Sequence, residues 1–291
     1  MFIKQVDLLI HHASIGGITV TKKVEPYKGI AGIYEEIRPT YPEKLIDDII
    51  FKTNLKVNDK LLEIGAGTGK ATIQFAKKGF SIDAIEIGED MAEILKDKCS
   101  DFSNVSVEVI SFEEWKNTNN QKYDMIYSAQ AFHWIDKNIK YAKCHELLKD
   151  RGYLILFWYN PMDFESDGTR EIREKVDMIV NKYITIHSSD KGKPERLEHD
   201  GVYREDDRII EINSSGLFEL IEKLNYTHEI MNNADQYLKA MKSVPAFSSK
   251  LDGLDDKIVE NMDIEIKDLI NSHGGYVGTL FNFSLYITKK L

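Results

Sequence analysis

The sequence predicts an α/β protein built on a doubly wound, mostly parallel sheet. Short apolar runs alternate with segments of helical periodicity over some hundred residues, which is the pattern of strands joined by crossover helices. The apolar runs stop at glycine or polar residues, as buried parallel strands do. With 291 residues, the chain is long enough for one large domain or two modest ones.

The elements of the first half can be assigned in order. A helix is predicted to begin at Tyr41-Pro42, because proline suits the first helical turn. The apolar run 60–64 reads as a buried strand that ends at a glycine cluster, and the next helix is predicted to end at Gly79. The later predicted elements are strands at 80–86, 105–110, 123–127 and 152–158, and helices at 91–98 and 141–148.

The alternation of strands and helices stops after Pro161. Residues 161–215 hold 14 acidic and 9 basic residues around one amphipathic helix pattern, so we expect a helical cap insertion that acts as a lid. A strand at 218–230, helices near 235–241 and 255–270, and a strand at 276–288 follow. The predicted organisation is an N-terminal extension at 1–30, a core at 31–160, the cap at 161–215 and the rest of the core sheet at 216–291.

Composition and charge disfavour several classes of partner and site. The chain has 38 basic and 48 acidic residues, a net charge of −10, which disfavours binding to nucleic acid or to an anionic membrane. Asp7 interrupts the apolar start, so we expect no secretory signal and a cytoplasmic protein. Cys99 and Cys144 stand alone, without the spacing of a metal site. We therefore predict reduced core thiols and no metal.

A glycine-rich turn follows the first predicted strand. Gly65, Gly67 and Gly69 lie at alternate positions, which lets the backbone approach a ligand closely. The dinucleotide fingerprint needs a small residue where this chain has Lys70, which counts against NAD. Glu63, just before the turn, would repel a pyrophosphate and receive an ammonium group. The ligand is therefore expected to be cationic at this end.

A second carboxylate ends the next predicted strand. Glu86 stands 21 residues after Gly65, the distance at which open α/β sheets place an acid against a ribose. Its two acceptor oxygens match the 2′ and 3′ hydroxyl groups. The two acids and the turn together predict a nucleoside ligand with a positive charge.

The stretch 63–69, followed by Glu86, resembles the first two motifs of class I S-adenosylmethionine (SAM)-dependent methyltransferases. Three further stretches, 34–42, 111–115 and 128–134, resemble the pre-motif, the adenine-side loop and the segment after the fourth strand in one branch of that family. This branch comprises small-molecule methyltransferases related to trans-aconitate methyltransferase, or methyltransferase type 11 proteins. The resemblance runs from about 33 to 160 and includes the last strand. It implies a Rossmann-like, seven-stranded sheet with an antiparallel last strand.

The same resemblance implies roles for individual residues. The backbone at Gly65 and Gly67 would line the methionine half of SAM, Glu86 would hold the ribose, and Gln130 would lie beside the sulfonium. Many relatives have Asp where this chain has Ser111, so the adenine contact falls to Glu113 or a backbone carbonyl. The predicted cofactor contacts are Tyr34, Arg38, Glu63, Gly65, Ala66, Gly67, Thr68, Glu86, Ile87, Met91, Ser111, Phe112, Glu113 and Gln130. The predicted substrate contacts are Tyr41, His133, Trp134 and Tyr159.

Arg38 and His133 each have a structural and a functional interpretation. Arg38 either pairs with Glu35 or Glu36, or clamps a carboxylate of SAM or of the substrate. His133 is either a structural histidine or the catalytic base, because an unperturbed imidazole accepts a proton at neutral pH. In the functional interpretation both residues face the same cavity.

The predicted activity is methyl transfer from SAM to a carboxylate, hydroxyl or amine group of a small molecule, with S-adenosylhomocysteine as the product. We expect a monomer or a homodimer. Two alternatives remain at this stage. One is a non-catalytic module that binds SAM or another nucleoside, and the other is an NAD-linked oxidoreductase, which Glu63 and Lys70 disfavour.

Overall fold

The computed structural model describes residues 29, 31–161, 167–187, 205–243 and 245–291. Of the predicted extension at 1–30, all but Gly29 therefore lies outside the described residues. Seven strands are present in this part of the chain. They are β1 (Lys60–Ile64), β2 (Ser81–Glu86), β3 (Val105–Val109), β4 (Tyr123–Ala129), β5 (Leu148–Pro161), β6 (Phe218–Asn233) and β7 (Tyr276–Lys290).

The strands form one sheet in the order β3-β2-β1-β4-β5-β7-β6. Strands β1 to β5 pair in parallel, whereas β7 runs antiparallel to both β5 and β6. The predicted Rossmann-like sheet of seven strands with an antiparallel last strand is confirmed. The order changes direction between β1 and β4, and open α/β sheets bind ligands beside such a point.

Ten helices accompany the sheet in the described residues. They are α1 (Ala31–Ile37), α2 (Glu43–Thr53), α3 (Thr72–Lys77), α4 (Glu89–Lys98), α5 (Lys140–Leu147), α6 (Asp167–His187), α7 (Glu205–Ser214), α8 (Ala234–Lys242), α9 (Pro245–Leu251) and α10 (Asp256–Ser272). Pro42 stands just before α2, so the predicted start at Tyr41-Pro42 is correct to within two residues.

The sheet buries both of its faces. Because side chains alternate along a strand, Leu61, Tyr127 and Phe157 pack in one hydrophobic cluster, here called the first face. Leu62 and Trp158 pack in a second cluster on the other side, here called the second face. This double burial explains why the parallel strands read as continuous apolar runs.

The described helices of the predicted cap, 161–215, pack in two different places. Helix α6 forms a third cluster with α8 and α10, in which Val176, Met262 and Ile266 are buried. Helix α7 instead places Ile212 in the cluster of the second face. The apolar stripes of the two helices thus have separate partners, and the role of the segment as a cap stays a prediction. Residues 162–166 and 188–204 lie outside the described residues.

Two further sequence expectations concern the cysteines and the membrane. Cys99 and Cys144 are both buried free thiols, as predicted. Burial raises the pKa of each thiol above its usual value, which disfavours the reactive thiolate. Within the described ranges, no helix combines the length and the apolar character that crossing a bilayer requires.

Candidate functional site

A pocket lies on the first face where β1 ends in the glycine-rich turn, and we call it the glycine-turn pocket. The space between its atoms is about 320 Å³, part of which is open to solvent. The predicted site residues that line it are Tyr34, Tyr41, Glu63, Gly65, Ala66, Gly67, Thr68 and Tyr159. The structure thus brings together the pre-motif, the turn and the end of β5.

The turn depends on glycine at two positions. Gly65 has φ = 70°, and a Cβ added there would overlap the Cβ of Ala131. Gly67 has φ = 56°, and nothing lies within 4 Å of the position that its Cβ would take. Gly65 is therefore needed for packing against the segment after β4, whereas Gly67 leaves backbone open to a ligand.

Glu63 is the buried acid at the base of the pocket, with 1% of its surface exposed. Its Oε2 accepts hydrogen bonds from Thr72 Oγ1 at 2.5 Å and from the Tyr127 hydroxyl at 2.8 Å. Its Oε1 is buried and has no hydrogen-bond partner among the described residues. Burial raises the pKa of Glu63 to about 8, and the nearby Glu86 carboxylate adds to the rise. A cation in the pocket would stabilise the charged form.

Glu86 ends β2 next to the same turn and is also buried. Its carboxylate accepts hydrogen bonds from the backbone N–H of Gly67 at 2.7 Å and of Gly88 at 2.8 Å. Burial raises the pKa of Glu86, and these backbone donors act against the rise. The acid thus joins the glycine-rich turn to the loop after β2.

The predicted adenine side follows directly from Glu86. The Ile110 N–H donates to the Glu86 carbonyl at 2.8 Å, which brings the loop after β3 beside the end of β2. Met91 is buried, and it lies 3.5 Å from the place of an added Cβ at Gly88. Ile87 is half-buried. The loop after β3 and Met91 thus lie next to the end of β2, and their role toward an adenine stays a prediction.

Lys143, which is not among the predicted site residues, holds the loop 111–115 in place through hydrogen bonds to its backbone. Lys143 Nζ donates to the carbonyls of Phe112 at 2.6 Å and Trp115 at 2.5 Å, and lies 4.8 Å from the centre of the Phe112 ring. Ser111 Oγ donates to Glu114 at 3.0 Å. Glu113 Oε1 accepts from the Asp136 N–H at 3.0 Å. The hydroxyl of Ser111 therefore closes its own turn, and Phe112 packs in the core.

Gln130 follows β4 in the left-handed backbone region, with φ = 64°. Its N–H donates to the Phe157 carbonyl at 3.1 Å, and its Nε2 donates to the Tyr159 carbonyl at 2.8 Å. A non-glycine residue in this region is uncommon and marks a local constraint. Here the constraint ties the carboxyl ends of β4 and β5 together beside the glycine-turn pocket.

Helix α1 carries Tyr34 to the pocket, and ion pairs hold this helix in place. Lys70 Nζ donates to the Glu35 carbonyl at 2.8 Å, and Lys98 Nζ lies 2.7 Å from Glu35 Oε1. The Arg38 guanidinium carbon lies 5.3 Å from the centre of the Tyr34 ring. Glu35 is thus paired with lysines, and Arg38 stacks on the tyrosine that lines the pocket.

His133 lies elsewhere, and this corrects the expectation that it shares a cavity with Arg38. It lines a second cavity with Trp158 on the second face of the sheet. The Trp158 Nε1 donates to His133 Nδ1 at 3.2 Å. Burial, together with Arg208 and Lys140, lowers the pKa of His133 to about 4. His133 belongs to the 3₁₀ turn 132–134 after β4, in which successive side chains point about 120° apart, so a residue there does not have to face the first side.

Trp134 is half-buried, and its ring lies 4.7 Å from that of His133. Neither residue lines the glycine-turn pocket, whereas Tyr41 and Tyr159 do. The Tyr41 ring packs edge-on against Phe157, with centroids 4.7 Å apart. Two of the four predicted substrate contacts, Tyr41 and Tyr159, therefore line the glycine-turn pocket, whereas His133, with Trp134 beside it, does not.

Sequence reasoning missed the two donors that hold Glu63 and three residues of the pocket wall. Tyr127 stands opposite Glu63 in the register of β1 with β4, so knowledge of the strand order alone would have found it. Thr72 comes from the first turn of α3. The missed wall residues are Lys70, Ala71 and Ala129.

Comparisons with known proteins show similarity to methyltransferases. Residues 61–152 match a family described as a methyltransferase domain. An uncharacterized methyltransferase of Mycobacterium tuberculosis is 29% identical over 143 residues, which cover 49% of this chain and 55% of the relative. The malonyl-[acyl-carrier protein] O-methyltransferase 1 of Ilyobacter polytropus is 26% identical over 222 residues, covering 74% and 73%. The chain thus spans only about half the length of the mycobacterial relative.

One solved structure shares the fold over most of both chains. A protein assigned as a type II methyltransferase from Anaeromyxobacter dehalogenans superposes with a TM-score of 0.57 and 17% identity, covering 87% of this chain and 97% of that one. None of these comparisons singles out the trans-aconitate branch, which stays a prediction. The central part of the chain is thus similar to a methyltransferase domain, and the fold is shared with a protein assigned as a methyltransferase.

Proposed function

We propose that the protein binds SAM in the glycine-turn pocket and transfers its methyl group to a small-molecule acceptor. The observation that carries this proposal is the Glu63 carboxylate, whose Oε1 is buried without a hydrogen-bond partner among the described residues. A buried acceptor of this kind needs a donor or a cation. SAM brings an ammonium group and a positively charged sulfonium.

The residues around Glu63 fit the rest of such a ligand. The open backbone at Gly67 leaves room for the methionine half. Glu86, which already orders the turn through the Gly67 N–H, is the group we assign to the ribose. We assign the adenine to the neighbouring surface formed by Ile87, Met91 and the loop 111–113. Lys143 supports that loop from the core side.

The bound cofactor supplies an electrophilic methyl group, so the protein has to align the acceptor and exclude water. Tyr34, Tyr41 and Tyr159 line the pocket together with the glycine-rich turn, and we propose that they form the acceptor side. His133 is on the opposite face and is a weak base, with a pKa of about 4. We therefore no longer assign it the role of general base.

The class of acceptor follows from whether the pocket offers a general base. A carboxylate acceptor loses no proton on methylation, whereas a hydroxyl or an amine needs a base. Of the acidic and basic side chains that line the described pocket, Glu63 is assigned to the positive charge of SAM and Lys70 pairs with Glu35. The relative from Ilyobacter is named as an O-methyltransferase. We therefore favour an oxygen acceptor, and among oxygen acceptors a carboxylate.

The proposal is tested first by binding. Calorimetry of the purified protein should give dissociation constants in the micromolar range for SAM and for S-adenosylhomocysteine, and no binding of NADH. Glu63→Gln should weaken SAM binding, whereas Glu93→Gln, an exposed acid on α4, should leave it unchanged. Binding of NADH without SAM would overturn the proposal in favour of an oxidoreductase.

Turnover separates the enzyme from a non-catalytic SAM-binding module. A metabolite extract incubated with the protein and SAM carrying a radiolabelled methyl group should yield a labelled small molecule and S-adenosylhomocysteine. Base treatment should release the label as methanol if the product is a methyl ester. Binding without turnover on any fraction would favour the regulatory module.

A further inference from the structure

The second cavity has a composition that the proposed function does not use. It lies between the second face of the sheet, the 3₁₀ turn after β4 and helices α5 and α7. The side chains that matter for its chemistry are His133, Lys140, Trp158, Arg208 and Glu211. Three of them are formally charged, which is unusual for a site this deeply buried.

Arg208 is a buried cation whose hydrogen-bond donors are not all satisfied. Only 4% of its surface is exposed, and its Nε and Nη1 atoms are buried without a hydrogen-bond partner among the described residues. Its guanidinium carbon lies 4.1 Å from the centre of the Trp158 ring. This cation–π contact stabilises one face of the guanidinium. It leaves the in-plane N–H donors unsatisfied, and these are the donors with which arginine binds anions.

Lys140 does not offset this charge, because it is a second buried cation. Only 1% of its surface is exposed, and its Nζ lies 2.5 Å from Glu211 Oε1. Glu211 therefore neutralises Lys140 and leaves Arg208 without a counter-charge among the cavity residues. His133 adds no positive charge at neutral pH. The cavity thus carries one excess positive charge.

The size of the cavity limits what can neutralise this charge. The space between its atoms is about 230 Å³, part of it open to solvent. Its interior has room for about one water-sized sphere. Leaving a buried guanidinium unpaired costs several kcal/mol, so a small anion gains strongly from entering.

We propose that the second cavity is a binding site for one small monovalent anion of the size of a halide, held by the Nε and Nη1 donors of Arg208 with Lys140 nearby. The site lies on the opposite face of the sheet from the glycine-turn pocket. Its occupation therefore does not depend on whether the chain binds SAM.

The direct test uses bromide, which scatters X-rays anomalously. Crystals of the full chain soaked in sodium bromide should show an anomalous peak within hydrogen-bonding distance of Arg208 Nε or Nη1. A peak that is absent there, with only water between Arg208 and Lys140, would overturn the proposal. This test needs no variant, so it stands even if substitutions in the cavity prevent folding.

A second test measures stability in solution. At equal ionic strength, sodium chloride should raise the thermal midpoint of the wild-type protein above that in sodium gluconate, whose anion is too large to enter, by about 2–4 °C for a tenfold excess over the dissociation constant. Arg208→Met should abolish the difference. Lys149→Met removes an exposed cation that pairs with Asp124 and should keep it. Equal midpoints in the two salts for the wild type would contradict the site.

Discussion

The Tyr127 hydroxyl donates a hydrogen bond of 2.8 Å to Glu63 Oε2, directly across the register of β4 with β1. The bond connects the core of the sheet to the base of the glycine-turn pocket. It favours the charged form of a carboxylate that burial otherwise keeps protonated. Burial therefore favours the protonated form of Glu63, whereas the hydrogen bonds and a cationic ligand favour the charged form.

Tyr127→Phe should raise the pKa of Glu63 further and weaken the binding of SAM at pH 7 severalfold. The substitution removes one hydrogen bond and keeps the ring, which packs 4.7 Å from Phe75. Tyr123→Phe is the matched control, because its hydroxyl bonds to Asp83 outside the pocket. Each variant should lose about 1 kcal/mol of unfolding free energy. Equal SAM affinities of the two variants, measured by calorimetry, would contradict the role of Tyr127.

SAM binding should release a proton below pH 8. Unliganded Glu63 has a pKa of about 8 and is mostly protonated at pH 7, whereas a cationic ligand favours the carboxylate. SAM affinity should therefore rise with pH, by up to about tenfold per unit, and level off above pH 8. Calorimetry at pH 7 in two buffers of different ionisation enthalpy measures the release. Identical enthalpies in both buffers would show that Glu63 keeps its proton, and Glu63→Gln should give that result.

Glu63 should also make the stability of the unliganded protein depend on pH. This dependence is opposite in direction to that of SAM affinity. The folded state holds this proton up to about pH 8, and an unfolded chain loses it near 4.3. Between these values the folded state binds more protons, so the contribution of Glu63 to stability is lost as pH rises. Urea unfolding from pH 5 to 8 should show the wild type losing stability relative to Glu63→Gln. Parallel curves would mean that Glu63 has an ordinary pKa.

Glu86→Ala should weaken SAM binding by about 1.5–3 kcal/mol, the range for hydrogen bonds to a charged group. Part of this loss comes from the turn, because Glu86 also accepts from Gly67 and Gly88. S-methylmethionine, a sulfonium without a ribose, separates the two effects. Its weak affinity should fall less than that of SAM, and Glu93→Ala should affect neither. An unchanged SAM affinity would place the ribose elsewhere.

His133 should not titrate near neutral pH. Its burial beside Arg208 and Lys140 lowers its pKa to about 4, so its imidazole resonances should stay constant from pH 6 to 8 in nuclear magnetic resonance spectra. Arg208→Met should move the midpoint upward, because one neighbouring cation is removed. A wild-type midpoint near 6.5 would restore His133 as a candidate base.

The local elements of the core were predictable because each carries its own signal. The apolar runs at β1 and β5 are buried on both faces, and the glycine-rich turn needs positive φ at Gly65 and Gly67. Glu63 and Glu86 were found because each stands at the end of such a run. The packing of the segment 161–215 was less predictable. An amphipathic stripe shows that a helix packs on one side, but it does not show which element it packs against. Helices α6 and α7 accordingly went to different clusters.

The sequence by itself determined the fold class, the glycine-rich turn and the two acids beside it, because these depend on backbone conformation and on the period of apolar residues. Only the tertiary structure decided which side chains share a cavity. Strand order placed Tyr127 against Glu63, and the turn after β4 sent His133 to the second face beside Arg208. Such contacts join residues far apart in the chain. Burial at these contacts shifts the pKa values of Glu63 and His133, and the sequence alone does not show which residues are buried together.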